Sequence, residues 1–70
     1  MKFYVIGNDE KHNYFSLFLD AARYAKTQAT SVHASRVWEH MGEGTHVAAI
    51  VWPEGTKNPP AGLGSPVVVW

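Results

Sequence analysis

The chain has no cysteine, so neither a disulfide nor a thiolate metal site can support its fold. With 70 residues it is expected to form one domain near the lower size limit for independent folding. Domains of this size usually supplement a small core with disulfides, a metal or oligomerisation. The absence of cysteine fits a reducing compartment, and it leaves a homo-oligomer as the simplest source of extra stability.

The chain also lacks a net charge, because six Lys and Arg residues balance six Asp and Glu residues. Nucleic-acid binders usually carry a basic excess, since phosphate contacts supply most of their affinity. A mimic of nucleic acid would carry the opposite excess. The balance therefore argues against direct nucleic-acid binding and favours a protein or a small molecule as the partner.

Long apolar runs are absent as well. No window approaches the roughly 18 apolar residues that a membrane span needs. The apolar run in residues 3–6 is too short for a signal-peptide core, and the polar residues 8–11 follow it directly. These features predict a soluble protein with no membrane contact and a cytoplasmic location.

Large aromatic residues, in contrast, are abundant: three Trp, three Tyr and three Phe. A Val-Trp pair ends three apolar, β-prone runs, at residues 37–38, 51–52 and 69–70. A domain this small buries only about 60% of the surface of its unfolded chain, so some rings should remain exposed. Trp, Tyr and Arg are the side chains that most often anchor partners. The predicted partner-binding residues are Tyr14, Arg36, Trp38, Trp52 and Trp70.

The first half of the chain predicts a strand and a helix. Residues 3–6 are aromatic and β-branched, which favours a strand. Residues 14–19 fit two interpretations: a second strand with Asp20 as the helix cap, or the start of the helix with Ser16 as its cap and Asp20 in the first turn. Residues 21–29 are rich in strong helix formers. The spacing predicts a sheet-facing stripe of Phe18, Ala22, Ala25, Ala29 and Val32, with Arg23, Lys26 and Thr27 facing away.

The second half predicts a β-hairpin and a tail. Residues 32–41 and 46–52 are two apolar runs joined by a glycine-containing loop. The second run is apolar on both faces, with Val47, Ala49 and Val51 expected on one of them, which indicates a central strand. Residues 54–65 are too rich in Pro and Gly for regular structure. The β-prone residues 66–70 are expected to pair with a sheet edge, in this molecule or in another, with Trp70 packed against apolar side chains.

The predicted fold class is therefore α+β. One Ala-rich helix is expected to pack on a mainly antiparallel sheet of three or four strands. Residues 1–55 are predicted to form the compact domain, and residues 56–70 a Pro/Gly-rich tail that ends in a short β-prone segment.

No motif in the chain predicts catalysis. His40 and His46 flank a turn that contains Glu43, but their spacing matches no established zinc site, and we expect the two imidazoles to face each other across the hairpin. The Gly-rich turns are not followed by a helix, as a phosphate site would require. The serines lack the turn motif that activates a nucleophile. We predict no enzymatic activity, no catalytic residues, no metal and no cofactor.

Aromatic side chains on a sheet can also stack nucleic-acid bases. Five aromatic residues are candidates for such a platform: Phe3, Tyr4, Tyr14, Trp38 and Trp52. Arg36 is the only cation close to these rings in the hairpin, whereas such platforms normally lie beside several cations. We therefore expect the rings to pack against the Ala-rich helix.

The order of elements resembles that of the small α+β proteins with which phages block host machinery, among them anti-CRISPR proteins and phage inhibitors of bacterial RNA polymerase. The resemblance rests on residues 1–6, 20–25 and the hairpin around residues 42–44, and it covers most of residues 1–55. It implies a non-enzymatic protein-binding module that covers a surface of a host defence or transcription complex in the host cytoplasm. It carries over no functional residue. The alternative is a small homo-oligomer that binds a nucleotide or another small molecule between its subunits.

Overall fold

The computed structural model describes all 70 residues and contains one helix and one five-stranded sheet. The strand order is β2-β1-β3-β4-β5, with antiparallel pairing throughout except between β4 and β5, which are parallel. The predicted α+β class, with one helix on a mainly antiparallel sheet, is confirmed. The sheet has five strands where three or four were expected. In chain order the elements are β1 (Phe3–Ile6), β2 (His12–Phe15), α1 (Phe18–Gln28), β3 (Ser35–Met41), β4 (Gly44–Trp52) and β5 (Val67–Val69).

The fifth strand comes from the C-terminal segment, which pairs with the edge of its own sheet. Val67–Val69 lies parallel to residues 50–52, and the Trp70 amide donates a hydrogen bond of 3.1 Å to the Trp52 carbonyl. Trp70 packs against the core on the side of α1, where Lys26 Nζ lies 5.3 Å from its ring centroid. The expected pairing and packing therefore occur within one molecule. The domain boundary at residue 55 stays a prediction.

The segment over residues 14–19 is divided between a strand and the helix. β2 ends at Phe15, and α1 begins at Phe18 after Leu17, which makes no side-chain capping hydrogen bond. Both predicted caps are therefore wrong: Ser16 precedes the helix, and Asp20 lies within its first turn, where an acidic side chain favours the helix dipole. The helix is not long and apolar enough to cross a membrane.

The core is small and lies between α1 and one face of the sheet. The helix buries only alanines, Ala21, Ala22 and Ala25, and the fully buried sheet side chains include Val5 and Val37. Because alanine is short, the helix can lie close to the valines. The predicted stripe is wrong at Val32, which is 73% exposed since the helix has already ended at Gln28. Phe18 is 41% exposed but faces the sheet, where its ring meets that of Phe3 edge-on at a centroid distance of 5.8 Å.

The hairpin of β3 and β4 contains a register shift that the alternation of its sequence does not reveal. Val37 lies opposite Ala49, but its neighbour Trp38 lies opposite Val47, so Ala48 is an extra residue on β4. Cross-strand partners share a face. Val47 therefore shares a face with Trp38 and not, as predicted, with Ala49 and the buried core.

The helix–sheet contact predicts a sharp difference between two helix positions. Ala25→Leu should lower the free energy of unfolding by about 1–3 kcal/mol, because the fully buried Ala25 leaves no room for three more carbon atoms. In a domain of this size that corresponds to a fall of the melting temperature of about 4–8 °C for each kcal/mol. Arg23→Leu, on the exposed face, is the control. Equal melting temperatures for the two variants would contradict this orientation of the helix.

The packing of Trp70 yields a second prediction. Trp70→Ala should destabilise the protein by about 1–3 kcal/mol, less than the about 3–5 kcal/mol of a fully buried Trp, because the ring is only half-buried. Leu63→Ala, in the same Pro/Gly-rich part of the chain, removes an almost fully exposed side chain and should change stability by less than about 0.5 kcal/mol. Thermal unfolding followed by circular dichroism measures both. A Trp70→Ala protein as stable as the wild type would show that β5 does not hold the sheet edge.

Candidate functional site

The face of the sheet opposite α1 carries a cluster of aromatic side chains. Since Val5 and Val37 are buried beneath the helix, strand alternation directs Tyr4 and Trp38 to the other face. Tyr4 lies opposite Tyr14 of β2 on one side and opposite Trp38 of β3 on the other. We call this side of the sheet the open face. Its ring cluster consists of Tyr4, His12, Tyr14, Trp38 and His40.

Tyr4 is the centre of the ring cluster. Its ring centroid lies 6.1 Å from that of Trp38 with an interplanar angle of 8°, 5.7 Å from Tyr14, and 5.2 Å from each of the two histidine rings. The rings of Tyr14 and His40 are also nearly parallel, with an interplanar angle of 6° and a centroid distance of 6.5 Å. These distances lie within the range in which aromatic rings attract one another. The rings therefore form one patch across β2, β1 and β3.

The ring cluster is accessible to solvent. Tyr14 is 52% exposed, both histidines are exposed, and Tyr4 and Trp38 are half-buried among their neighbours. The only helix lies on the other side of the sheet, and every strand belongs to the sheet itself. No second layer of secondary structure covers these rings.

The open face bears positive charge but no carboxylate on its strands. Glu39 is the only Asp, Glu or Lys in the five strands, and it lies on the helix side, opposite Phe3. Its carboxylate is 2.9 Å from Lys2 Nζ and 3.2 Å from His46 Nε2. Arg36 lies on the open face, opposite Ile50, and takes part in neither of these contacts. The open face thus combines rings with one free guanidinium.

The structure brings three of the five predicted binding residues together and separates the other two. Tyr14 and Trp38 belong to the ring cluster, and Arg36 lies on the same face two residues before Trp38. Trp52 lies farther along that face, beside Val69, with its indole nitrogen buried and without a hydrogen-bond partner. Trp70 lies on the helix side. The expectation that the rings pack against the helix is correct for Phe3. It is wrong for the other four rings, which lie on the open face: Tyr4, Tyr14, Trp38 and Trp52.

Sequence reasoning missed His12 and His40 as members of the site, and it considered Tyr4 only for a base-stacking platform, not as a partner-binding residue. The available signal was the alternation of β1, in which Phe3 and Val5 are apolar and face the helix, so that Tyr4 must face away. His40 and His46 do not face each other across the hairpin, because His40 lies opposite Thr45 and His46 opposite Glu39, on the other face. No three His, Cys, Asp or Glu residues are grouped as metal ligands would be.

A pocket of about 190 Å³ opens beside the ring cluster, where β1 ends and β3 begins. Trp38 belongs to both the ring cluster and the pocket, so the two features form one continuous surface. Apolar, polar and charged side chains all line it. The principal lining residues are Ile6, Asn8, Gln28, Ser35, Arg36 and Trp38.

Two hydrogen bonds hold the rim of this pocket. The Asn8 amide donates to Gln28 Oε1 at 2.8 Å, and Asn8 Nδ2 donates to the Gln28 carbonyl at 3.2 Å. They tie the turn after β1 to the end of α1. Gly7 permits this close approach, since a Cβ atom there would lie 2.7 Å from the Tyr24 hydroxyl and 2.8 Å from an Asp9 carboxylate oxygen.

Comparisons with family models, with curated proteins and with solved structures give no match for this chain. The resemblance in layout to phage-encoded inhibitors gains no support from them and stays a prediction. The functional argument therefore depends on the geometry and chemistry of the open face.

The close approach at Gly7 predicts that Gly7→Ala destabilises the protein by about 1 kcal/mol, the low end for overpacking, because the added methyl group displaces only the ends of the Tyr24 and Asp9 side chains. It should also loosen the Asn8–Gln28 contact, which amide hydrogen exchange at Asn8 would detect. Gly44→Ala is the matched control, because a Cβ atom there meets nothing within 4 Å. Similar stabilities for the two variants would show that the rim is not tightly packed.

Proposed function

We propose that the protein is a non-enzymatic protein-binding module and that the open face, centred on the ring cluster, is its binding surface. The observation that carries the proposal is the continuous patch of five rings on the side of the sheet without a second layer. Contiguous exposed apolar patches on small proteins commonly mark interaction sites.

The residue composition of the open face favours a protein partner. Protein interfaces are enriched in Tyr, Trp and Arg and depleted in Lys, Glu and Asp, and hot spots are richest in the first three. The strands of the open face contain Tyr4, Tyr14, Trp38 and Arg36, while the only Asp, Glu or Lys in any strand, Glu39, lies on the other face.

The same face is poorly suited to nucleic acid. Single-stranded nucleic acid binds to rings flanked by a groove of several cations that follow the backbone. Here Arg36 is the only Lys or Arg on the strands. Lys2 precedes β1 and pairs with Glu39, Lys11 precedes β2, and Lys57 lies in the loop between β4 and β5, while Arg23 and Lys26 belong to the helix. One guanidinium neutralises too little phosphate charge for useful affinity at physiological salt.

Charge complementarity identifies the chemistry of the partner. The open face offers the Arg36 guanidinium and no strand carboxylate. It therefore suits a partner surface that combines acidic side chains with apolar or aromatic ones. A second copy would bring an equally cationic face against it, so a different protein fits better than a homo-oligomer.

Binding at the open face would act by occlusion. The molecule measures 34 × 25 × 19 Å, so its broad side is comparable to the roughly 800 Å² that each partner contributes to a standard interface. A module with no catalytic group alters its partner by covering a surface that other molecules need. Inhibition of a host complex by a phage protein, as the layout implies, is one instance of this mode of action.

The experiment compares exposed side chains on opposite faces. Tyr14→Ala and His40→Ala remove rings from the open face, whereas Leu19→Ala removes a similarly exposed side chain, 49% against 52% for Tyr14, from the helix. Leu19→Ala should melt like the wild type, and Tyr14→Ala and His40→Ala, which lose ring contacts with Tyr4, should lose at most about 1 kcal/mol of stability. In a pull-down from cells of the natural source or host, the wild type and Leu19→Ala should capture the same partner protein equally well. Tyr14→Ala should lose about 2 kcal/mol of binding, roughly 30-fold in affinity.

Three outcomes would contradict the proposal. The first is equal capture by all variants. The second is binding of a single-stranded oligonucleotide that the ring substitutions abolish. The third is a wild-type homo-oligomer, measured by size-exclusion chromatography with light scattering, that Tyr14→Ala dissociates, which would favour the alternative of a small-molecule-binding oligomer.

A further inference from the structure

We propose that the pocket beside the ring cluster is a carboxylate site that takes one Glu or Asp side chain of the partner protein. In this arrangement the Arg36 guanidinium binds the carboxylate, and Trp38 packs against the aliphatic part of that side chain. The inference rests on the proposed function, because the side chain belongs to the protein that covers the open face.

Arg36 is the group that identifies the charge of the ligand. It lines the pocket, is exposed, and takes part in neither of the two ion pairs in the chain. None of the residues that line the pocket is acidic, so no internal carboxylate competes for it. A guanidinium presents a planar fork of N–H donors that matches the two oxygens of a carboxylate.

The apolar wall beside Arg36 is held in place before any ligand arrives. Trp38 is stacked on Tyr4 with an 8° interplanar angle, and Ile6 lies on the same face. A methylene stem can pack on the indole while the carboxylate reaches the guanidinium. Partial exclusion of water by these side chains strengthens the charge interaction relative to that at a fully hydrated surface.

The far side of the pocket adds no competing charge. Ser35 belongs to the lining, but strand alternation turns its side chain to the helix side with Val37, away from Arg36 and Trp38. The buried Ser35 hydroxyl is therefore not a ligand of the carboxylate. The neighbouring Asn8 and Gln28 already bind each other and hold the rim around this position.

The size of the pocket indicates one side chain rather than a whole small molecule. Pockets for drug-sized ligands have about 300–1,000 Å³, whereas this one has about 190 Å³. The nearby end of α1 is its C-terminus, at Gln28, which carries the negative end of the helix dipole. A single guanidinium at this place balances a monoanionic carboxylate better than a dianionic phosphate.

The carboxylate site can be tested without the partner by nuclear magnetic resonance. The ¹⁵N-labelled full chain is titrated with N-acetyl-glutamate methylamide, with the isosteric glutamine compound, and with inorganic phosphate. The glutamate probe should shift the Arg36 Nε–H, the Trp38 indole N–H and the Ser35 amide in a saturable way, with a dissociation constant in the millimolar range expected for so small a ligand. The glutamine probe and phosphate should bind at least about tenfold more weakly.

Arg36→Gln is the matched variant, since it keeps an exposed polar side chain while removing the charge. Resonances remote from residue 36 should be unchanged, and the response to the glutamate probe should disappear. Equal shifts with the glutamate and glutamine probes, equal or stronger binding of phosphate, or an unaltered response in Arg36→Gln would overturn the carboxylate site.

Capture of the partner separates this inference from the proposed function. If both are correct, Tyr14→Ala and Arg36→Gln each weaken capture, and Arg36→Lys restores it only partly because a lysine makes no bidentate contact. Capture that depends on Tyr14 but not on Arg36 would overturn the pocket while leaving the open face as the binding surface. Capture that depends on neither would overturn both.

Discussion

One helix of 11 residues can cover only one face of a five-stranded sheet, and the rest of the structure follows from this limit. The helix approaches the inner strands through buried alanines, above their valines. The rings of Phe18 and Tyr24 contact Phe3 of β1 and Phe15 of β2, respectively. Strand alternation then places every second residue of β1 and β3 on the far side, where no other element is available to bury it. The aromatic side chains on the open face are exposed because the chain contains no second helix, and their mutual stacking is the main packing available to them.

The pocket lies at the edge of this helix–sheet layer and depends on the contact between the helix end and the turn after β1. The turn after β1 and the last residue of α1 meet through Asn8 and Gln28, and this contact exists because Gly7 leaves space for Tyr24 and Asp9. On the open face, directly beside this rim, Arg36 and Trp38 extend from β3. The hydrogen-bonded rim, the apolar wall and the unpaired cation of the pocket therefore adjoin the ring cluster. Because the pocket and the ring cluster are contiguous, one partner can contact both.

Local sequence patterns predicted much of this fold. The strand at residues 3–6, the helix around residues 21–29, the hairpin around Gly42 and the pairing of the C-terminal segment all agree with the structure. β3 begins three residues later than predicted, because Thr30 and His33 close a turn through backbone hydrogen bonds. The features that the sequence did not reveal depend on contacts between distant residues. β1 pairs with both β2 and β3, which brings Tyr4 between Tyr14 and Trp38, and the extra residue at Ala48 moves Val47 to the open face. The sequence does not show which face each histidine of the hairpin occupies, because an imidazole suits either face. The turn at residues 42–43 pairs His40 with Thr45 and His46 with Glu39, which places the two histidines on opposite faces.

The central claim is that the ring cluster and the helix lie on opposite faces of the sheet. A nuclear Overhauser spectrum of the full chain tests it directly, since it reports protons within about 5 Å of each other, less than the roughly 10 Å between packed layers. The account predicts cross-peaks that connect the Tyr4 ring with the rings of Tyr14, Trp38 and His40. It predicts none between these rings and the methyl groups of Ala21, Ala22 or Ala25. Cross-peaks from the Trp38 ring to those alanine methyls would place the rings in the core and contradict the proposed binding surface.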